Sequence, residues 1–402
     1  MNITILKDNL AKGLSLVSRA VSSRSTLPVL NNILIAADGP RLRLSATNLT
    51  VAITCWLDAN VEADGAITVP AKTFADVVAA IVSGDSVSLT LKKDTLTLKT
   101  SVTKTEIKGI SADEFPIIPR GEALEGARVE FEATVLRDAI RKTAFCAATD
   151  EARPILTGVL CHVDNGRGTF AATDGFRLSV TRVFLKDAFG AVTGESLNPA
   201  PGGVKVIIPA ETLAHLDRVL GDESRRAGEG TVTMRVPHNQ NQVIFTTETV
   251  ELVSQLVEGQ FPNYQEVVPK TSSLVAEVNA AELLTAVKAV DIFARENDHT
   301  ARFTFDESGL RLLGQSAETG SGEARVSARF GKVASNDLPI EIAFNAKYMI
   351  DALKAFDGQC AIGLTGPRAP ALLTPLAGDG FEMVIMPILV DKPAPALPRG
   401  PG

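Results

Sequence analysis

Three stretches of the chain alternate apolar and polar residues for a few positions and then switch to an apolar spacing of three or four. They begin at Met1, Arg128 and Leu274. Strict alternation is typical of a half-buried strand, and the longer spacing is typical of an amphipathic helix. The stripe that predicts the first helix is Leu10, Leu14, Val17 and Val21, and the third stretch repeats it at Leu283, Val287, Val290 and Ala294.

A second strand-then-helix pattern follows in each stretch. These patterns begin at Gly65, Val204 and Ile340. Asn279 and Asn345 stand where the two helices of the third stretch should start, and asparagine is a preferred N-cap. Alternating runs at 86–102 and 241–256 contain polar turn residues at their centres, which predicts antiparallel hairpins.

The same order of elements therefore occurs three times, which predicts three similar domains. Connectors that contain proline, at 113–122 and 258–270, fall at the joints. We expect residues 186–203 to form an exposed loop inside the second domain. The predicted domains are residues 1–126, 127–260 and 261–390, and residues 391–402 form a tail rich in proline and glycine that we expect to be disordered.

Composition narrows the class of protein. Of 402 residues, 45% are hydrophobic and 22% charged, which is ordinary for a globular protein, and the net charge of -7 excludes a uniformly basic nucleic-acid binder. We expect no signal peptide, no membrane span and a cytoplasmic, nucleoid-associated protein. The scattered cysteines favour buried reduced thiols over a zinc site, so we expect no metal and no cofactor. They are Cys55, Cys146, Cys161 and Cys360.

Basic residues recur on the polar faces of equivalent predicted helices. Lys12 and Arg19 are seven residues apart on the first helix, and the later helices repeat the pattern. Such residues can simply solvate a helix, but their repetition favours a lining that contacts DNA phosphates without reading bases. The other members are Arg137, Arg141, Lys142, Lys288, Arg295, Lys347 and Lys354.

The segment "AATDGFRLSV" at 171–180 predicts a hairpin whose turn contains Asp174 and Gly175. Asp174 could be a catalytic carboxylate or a turn-forming residue. The chain contains no GxSxG, Walker or HExxH motif and no metal-ligand spacing. We therefore interpret Asp174 as a turn residue.

Several motifs, in this order and spacing, resemble the bacterial DNA polymerase III beta subunits, the sliding clamps. They are "RSTLPVLNNILI" (24–35), "TVPAKTF" (68–74), "ATDGFRL" (172–178), "FPNYQEVVP" (261–269), "FNAKYMIDAL" (344–353) and "MPI" (386–388). The resemblance implies an α+β fold of three clamp domains, each with two helices packed on antiparallel sheets. It also implies a head-to-tail homodimeric ring around duplex DNA, a non-enzymatic processivity factor.

The resemblance further implies a hydrophobic pocket that binds short peptides of DNA polymerase, clamp loader and repair proteins. Carried over by position, it comprises Leu156, Thr173, Gly175, Phe176, Arg177, Leu178, Pro262, Val267, Tyr348, Val384, Ile385, Met386, Pro387 and Ile388. Phe176 replaces a histidine that is familiar in the family, and Glu266 stands where a basic residue can occur. An alternative for Met386–Ile388 is a buried last strand.

By the same resemblance, Arg24 and Arg153 would contact DNA. The dimer interface would pair edge strands and would comprise Lys99, Lys104, Lys108, Ile107, Ile292, Phe293, Glu318 and Glu323. Two other functions stay open at this point, namely a protein-interaction scaffold that never meets DNA and an α+β hydrolase or transferase with an unrecognised site.

Overall fold

A computed structural model describes residues 1–22, 25–121, 124–185, 203–227, 230–239, 241–333, 338–378 and 380–390. Arg24, most of the predicted loop 186–203 and the predicted tail 391–402 lie outside these residues. The chain divides into two compact units. The first unit comprises Met1–Ile140, Leu160–Gly168 and Phe184–Gly259, and the second comprises Arg141–Val159, Thr169–Val183 and Gln260–Gly402.

The described residues contain six α-helices, each of which directly follows a strand. The predicted N-caps are confirmed, because Asn279 accepts from the amide of Glu282 and Asn345 accepts from the amides of Lys347 and Tyr348. The helices are α1 (Lys7–Val17), α2 (Ala71–Ala79), α3 (Ala133–Thr143), α4 (Ala210–Ala227), α5 (Ala280–Ala294) and α6 (Ala346–Leu353).

The predicted apolar stripes form the buried faces of the helices. Leu10, Leu14 and Val17 are buried on α1, and all four predicted stripe residues of α5 are buried as well. The first helix ends earlier than its pattern predicts, because α1 stops at Val17 and the chain continues as a 3-10 turn over Ser18–Ala20. Val21 is extended and caps that turn.

Two antiparallel sheets form most of the first unit. Their strands are β1 (Asn2–Leu6), β2 (Asn32–Asp38), β3 (Arg41–Thr47), β4 (Val51–Asp58), β5 (Asn60–Ala63), β6 (Ala66–Pro70), β7 (Ser86–Lys92), β8 (Thr95–Lys99), β9 (Lys104–Lys108), β10 (Ile110–Ser111), β11 (Gly126–Glu132), β16 (Thr231–Pro237), β17 (Gln242–Thr246) and β18 (Val250–Gln255). The strand orders are β5-β1-β7-β8-β9 and β10-β6-β2-β3-β4-β18-β17-β16-β11. Strand β15 (Val204–Pro209) belongs to the same unit but not to these two sheets. The predicted hairpins are confirmed as β7–β8 and β17–β18.

Two further sheets contain the strands of the second unit. One is a nine-stranded sheet that contains the run β13-β14-β27-β26-β25-β19-β23, and the other has the order β22-β21-β20-β24. The remaining strands of the chain are β12 (Gly158–Asp164), β13 (Arg167–Thr173), β14 (Arg177–Phe184), β19 (Leu274–Asn279), β20 (Thr300–Asp306), β21 (Gly309–Ser316), β22 (Gly320–Val326), β23 (Arg329–Val333), β24 (Ile340–Asn345), β25 (Gln359–Leu364), β26 (Ala371–Pro375) and β27 (Phe381–Ile385).

Strand β27 gives the second unit the geometry on which its candidate site depends. It pairs antiparallel with β14, so that Arg177 lies opposite Ile385 and Leu178 lies opposite Val384. Both Leu178 and Val384 are buried, so these strands fix the start of β14 against the end of β27. The turn that precedes β14 is thereby held beside the residues that follow β27.

Candidate functional site

The turn between β13 and β14 is held by the side chains of its own first two residues. The Thr173 hydroxyl donates to the carbonyl of Arg177 (2.7 Å) and accepts from the amide of Gly175 (3.0 Å). Oδ1 of Asp174 accepts from the amides of Phe176 (2.9 Å) and Arg177 (3.0 Å). Gly175 has a φ of 93°, which favours glycine. The prediction that Asp174 forms the turn is confirmed.

The same turn occurs in the first unit, between β3 and β4. The Thr47 hydroxyl donates to the carbonyl of Val51 (2.9 Å) and accepts from the amide of Leu49 (3.0 Å). Oδ1 of Asn48 accepts from the amides of Thr50 (3.0 Å) and Val51 (2.7 Å). The side-chain amide oxygen of Asn48 thus accepts the same two hydrogen bonds from the backbone as the carboxylate of Asp174. The turn is a repeated structural element, and its function must come from the side chains that the two copies do not share.

Arg177 takes the fifth position of its turn, where the first unit has valine. Its Nε donates to Oδ2 of Asp174 (3.0 Å), its Nη1 to Oδ2 of Asp351 (3.1 Å) and its Nη2 to the carbonyl of Phe145 (3.0 Å). Its guanidinium carbon lies 4.5 Å from the ring centroid of Tyr348. Arg177 is only 9% exposed, so the two carboxylates compensate a charge that is largely removed from water.

The protonation of Arg177 follows from these contacts. Burial alone would lower its pKa, but the interaction with Cys146, the hydrogen bond to Asp351 and the charge of Asp174 together raise the pKa above the ordinary value. The pKa of the Tyr348 phenol is also raised, because burial and the nearby Asp174 carboxylate disfavour the phenolate. The guanidinium is therefore a permanent cation, and it lies against a neutral aromatic ring.

Exposed apolar groups surround this buried ion cluster. The ring of Phe176 is 56% exposed and stacks on that of Tyr348, with centroids 6.5 Å apart and planes at 23°. The amide of Met386 donates to the carbonyl of Phe176 (2.9 Å), and Met386 is 38% exposed. The end of β27 and the turn thus present an aromatic and a thioether side chain side by side. Adjacent exposed apolar groups with a few fixed polar atoms are suited to binding an apolar peptide segment.

The structure distributes the predicted pocket residues over three levels of burial. Leu156, Arg177, Leu178, Val384 and Ile385 are buried, and Thr173, Tyr348, Pro387 and Ile388 are half-buried. The exposed members are Gly175, Phe176, Pro262, Val267 and Met386.

The alternative for the last motif, a buried final strand, does not describe what is seen. Strand β27 ends at Ile385, before Met386. Residues 386–390 contain no strand, and Ile388 forms one isolated bridge to Ala343, to whose carbonyl it donates (2.8 Å). The motif therefore leaves a sheet and runs along the surface of the second unit, which exposes Met386.

Two residues that contact Arg177, namely Phe145 and Asp351, were not predicted from the sequence. Phe145 supplies a carbonyl and a ring 5.5 Å from the Arg177 guanidinium carbon, and Asp351 supplies a carboxylate. Phe145 lies in a 3-10 turn without a motif of its own. Asp351 carried a usable signal, because it lies one helical turn after Tyr348 and so on the same face of α6.

The predicted DNA-contacting residues fall into two groups. Lys12, Arg141, Arg153, Lys288, Lys347 and Lys354 are exposed, whereas Arg19, Arg137 and Lys142 are half-buried. The side chains of the first group lie at the surface.

The prediction that places Arg19 on the first helix is wrong, because α1 ends at Val17. Arg19 lies in the 3-10 turn, and its Nη2 is 3.6 Å from Oδ2 of Asp222. Arg137 is on its predicted helix, but its Nε donates to Oδ1 of Asp217 (2.9 Å). Intramolecular carboxylates already partner both arginines, so neither points freely into solvent.

The predicted dimer residues lie at two sheet edges. Lys99, Lys104 and Lys108 are exposed on the last hairpin of its sheet, and Ile292, Glu318 and Glu323 are exposed beside β22, with Phe293 half-buried. Ile107 differs from the expectation, because it is 5% exposed and packs inside the first unit. It faces the core since alternate residues of β9 point to opposite faces.

The remaining chemistry of the described residues is limited. All four cysteines are buried free thiols, as predicted, and burial raises the pKa of Cys161 and Cys360 to about 12. Among the residues that the structure describes, no group of three or more His, Cys, Asp or Glu could hold a metal ion. Within the same residues, no helix has the length and apolarity needed to cross a membrane.

Curated relatives match nearly the whole chain. A beta sliding clamp from Synechocystis is 32% identical over 404 residues, covering 96% of this chain and 99% of the relative. A beta sliding clamp from Synechococcus elongatus is 33% identical with the same coverage.

Solved structures agree with these relatives. DNA polymerase III subunit beta from Pseudomonas aeruginosa aligns with a TM-score of 0.85 at 25% identity, covering 97% of this chain and 100% of that one. A sliding clamp from Bartonella birtlesii, crystallised with bound griselimycin, aligns with a TM-score of 0.86 at 27% identity and the same coverage.

Family models account for the three repeats. The N-terminal, central and C-terminal domains of the DNA polymerase III beta subunit match residues 1–119, 130–263 and 265–389. The three repeats seen in the sequence are thus three clamp domains with helices on antiparallel sheets. The chain belongs to the DNA polymerase III beta subunit family, the family of the DNA sliding clamps.

Proposed function

We propose that two copies of this chain form a head-to-tail ring that encircles duplex DNA without reading its sequence. In this proposal the ring tethers DNA polymerase, clamp loader and repair proteins through the surface around Phe176 and Met386, in the cytoplasm at the nucleoid. As a sliding clamp the chain is a non-catalytic processivity factor, and encirclement rather than tight binding retains it on DNA.

The main support for the ring is a strand pairing that occurs twice inside the chain. In the first unit, β18 pairs with β4, and Ser254 lies opposite Val51 at the fifth position of its turn. In the second unit, β27 pairs with β14, and Ile385 lies opposite Arg177 at the same position of the equivalent turn. Five consecutive residue pairs extend from each of these points. One repeat therefore joins the next in a fixed register.

The chain has three repeats, but only two such pairings form among the described residues of one chain. The hairpin β21–β22 corresponds to β3–β4 and β13–β14, and β22 ends its sheet. The hairpin β8–β9 corresponds to β17–β18 and β26–β27, and β9 ends its sheet too. Unpaired edges invite strand pairing. Pairing β22 of one copy with β9 of the next satisfies both edges and closes a two-fold assembly.

The same correspondence gives the register of this contact. Four residues separate Lys99 from Lys104, the first opposed pair of β8 and β9, just as four residues separate Thr246 from Glu251, the first opposed pair of β17 and β18. We infer that Thr105 of one copy lies opposite Ser321 of the other, as Leu252 lies opposite Ile53.

Charge on the two edges supports this pairing. The β8–β9 edge exposes Lys99, Lys104 and Lys108 with one acidic residue, Glu106, whereas the β22 edge exposes Glu318 and Glu323 with one basic residue, Arg325. Complementary charge favours the head-to-tail contact and disfavours pairing of either edge with itself.

A pair of engineered cysteines tests the assembly. Under mild oxidation, Thr105→Cys combined with Ser321→Cys should give a covalent dimer on a non-reducing gel, because opposed antiparallel residues come close enough for a disulfide. The control combines Thr105→Cys with Arg325→Cys, which lies four residues further along β22. A monomeric mass in light scattering, together with no cross-link, would refute the ring.

The DNA-facing part of the proposal rests on exposed cations. Lys12 on α1, Lys288 on α5 and Lys347 on α6 are exposed in a protein whose net charge is -7. Phosphate contacts need no defined base geometry, which suits a ring that must slide. Arg153 belongs to the same set, and its Nη2 also donates to the carbonyl of Asp174 (3.1 Å).

The docking part rests on the apolar surface around Phe176. Burial of one apolar side chain there contributes about 1.5–3 kcal/mol, so two anchors contribute about 3–6 kcal/mol. Micromolar binding corresponds to about 8 kcal/mol, so backbone hydrogen bonds to the bound segment must supply the rest. We propose that this surface also binds griselimycin, since a related clamp was crystallised with it. Calorimetric titration with griselimycin therefore tests the pocket separately from the ring.

A further inference from the structure

We propose that Asp351 is a positioning residue of the peptide pocket, because its ion pair with Arg177 fixes the hairpin turn against helix α6 and so holds Phe176 on Tyr348. The inference rests on the proposed docking function of this surface. Asp351 touches no bound segment in this proposal and acts only through Arg177.

The two carboxylates beside Arg177 have different structural consequences. Asp174 lies three residues before Arg177 in the same turn, so their ion pair moves with the turn. Asp351 belongs to α6, and the 3.1 Å contact from Nη1 of Arg177 therefore joins two separate elements. Of the two ion pairs, only the second constrains the turn relative to the helix.

The wall of the pocket is built across this same junction. Phe176 is part of the turn, and Tyr348 lies one helical turn before Asp351 on α6. Their rings stack with centroids 6.5 Å apart, and the Arg177 guanidinium carbon lies 4.5 Å from the centroid of the Tyr348 ring. A shift of the turn along the helix would open the aromatic stack and change the shape of the exposed surface.

The first unit provides an internal comparison. Its equivalent turn keeps all four hydrogen bonds between side chain and backbone, although Val51 replaces the arginine. On α4, which follows β15 as α6 follows β24, Thr212 and His215 take the places of Tyr348 and Asp351. The turn therefore folds without the ion pair and without the aromatic stack. The Arg177–Asp351 ion pair is present in the second unit, where the turn also carries the exposed ring of Phe176.

Asp351 contacts two cations, Arg177 and Lys354, and its interaction with Arg177 is the stronger because that side chain is less exposed to solvent. Oδ1 of Asp351 also accepts from Lys354 at 3.1 Å, but the Lys354 side chain is 55% exposed, whereas that of Arg177 is 9% exposed. Water and salt screen the exposed pair far more than the buried one. Loss of the carboxylate would leave Arg177 poorly compensated, so the guanidinium would move toward water and away from Tyr348.

The test measures griselimycin binding by calorimetry for the full chain and for Asp351→Asn, Asp351→Glu and a control, Glu341→Gln. Glu341 pairs with Arg302 in the same unit (2.7 Å), so the control removes a partly exposed ion pair that lies outside this cluster. We expect Asp351→Asn to weaken binding about tenfold, which is about 1.4 kcal/mol. Asp351→Glu should recover most of the affinity, and Glu341→Gln should match the unaltered chain.

A second readout separates positioning from general damage. The chain has two tyrosines, Tyr264 and Tyr348, so labelling with 3-fluorotyrosine gives two fluorine resonances. Asp351→Asn should shift or broaden the Tyr348 resonance and leave that of Tyr264 unchanged, at temperatures below the unfolding midpoint of every variant. Unchanged affinity in Asp351→Asn would overturn the inference, and so would an unmoved Tyr348 resonance.

Phe176→Asp distinguishes this inference from the proposed docking site. If Phe176→Asp loses binding and Asp351→Asn keeps it, the pocket stands and the positioning role is wrong. If Phe176→Asp binds griselimycin as the unaltered chain does, the pocket lies elsewhere, and both proposals fall.

Discussion

The backbone amide of Met386 donates a hydrogen bond of 2.9 Å to the carbonyl of Phe176. The first unit contains the same contact, since the amide of Gln255 donates to the carbonyl of Thr50, also at 2.9 Å. The backbone at the two joints is thus alike. The surfaces differ because a phenyl ring and a thioether occupy one joint, whereas a hydroxyl and an amide occupy the other.

This equivalence gives a matched pair of substitutions. Phe176→Asp removes an exposed ring and places a charge on the surface, so it should weaken griselimycin binding at least about tenfold. Thr50→Asp makes the same charge change at the equivalent position of the first unit and should leave binding unchanged. Titration calorimetry measures both, and light scattering should find both variants dimeric. Equal binding by the two variants would show that the turn at 173–177 is structural only.

The exposed lysines should matter for DNA and little for folding. Replacement of Lys12, Lys288 and Lys347 by alanine removes three charges from each protomer, and each lost phosphate contact lowers the salt slope by about 0.9. We expect clamp-dependent primer extension to fail at lower salt than with the unaltered chain. Lys205→Ala, an exposed lysine on strand β15, is the control. An unchanged salt dependence in the triple variant would contradict the proposed lining.

Arg137 should behave in the opposite way. Its side chain and that of Asp217 are 24% and 22% exposed, and their 2.9 Å contact is partly shielded from solvent. Arg137→Ala should lower the free energy of unfolding by about 1–2 kcal/mol, as measured by urea denaturation. A double-mutant cycle with Asp217→Asn should be non-additive. If Arg137→Ala instead leaves stability intact and weakens only DNA-dependent activity, the residue belongs with the exposed lysines.

Asp38 should make the first unit sensitive to acid. The indole N–H of Trp56 donates to its Oδ2 (2.8 Å), and this bond, together with Arg120, lowers the pKa of Asp38 below its ordinary value of 3.8. The ionised form is therefore favoured by folding. Its contribution is complete above about pH 4 and is lost as the pH falls through the lowered pKa.

Trp56 is the single tryptophan of the chain, so its fluorescence reports this contact directly. The emission should change below about pH 4, and Asp38→Asn should abolish that step at a stability cost below about 1 kcal/mol. The same acid step in Asp38→Asn would assign it to another group.

Local patterns predicted much of the fold. The apolar stripe of α5 and the caps at Asn279 and Asn345 follow from residues within one helix, where spacing and side-chain chemistry suffice. The end of α1 was misplaced because residues 18–21 continue the polar and apolar pattern, while the backbone tightens into a 3-10 turn. A periodicity of side chains does not distinguish the two backbones over so few residues.

The candidate site was predictable only in part for a related reason. Asp174 and Gly175 are recognisable as turn residues because their partners are two or three residues away. The spacing of Asp351 from Tyr348 places both on one face of α6, but the contacts of Asp351 and Phe145 with Arg177 form only after strands and helices have packed. The ion pairs of Arg19 and Arg137 were hidden for the same reason, so both arginines resembled solvent-exposed cations.

The most direct test of the central claim asks whether attachment to DNA is topological. The clamp is loaded onto nicked circular DNA by its clamp loader and separated from free protein by gel filtration, and one half of the sample is then cut with a restriction enzyme. A ring that encircles DNA should stay on the circles and leave the linear molecules over their ends. Equal retention on circular and linear DNA would mean that the protein binds the duplex directly, and it would contradict the ring.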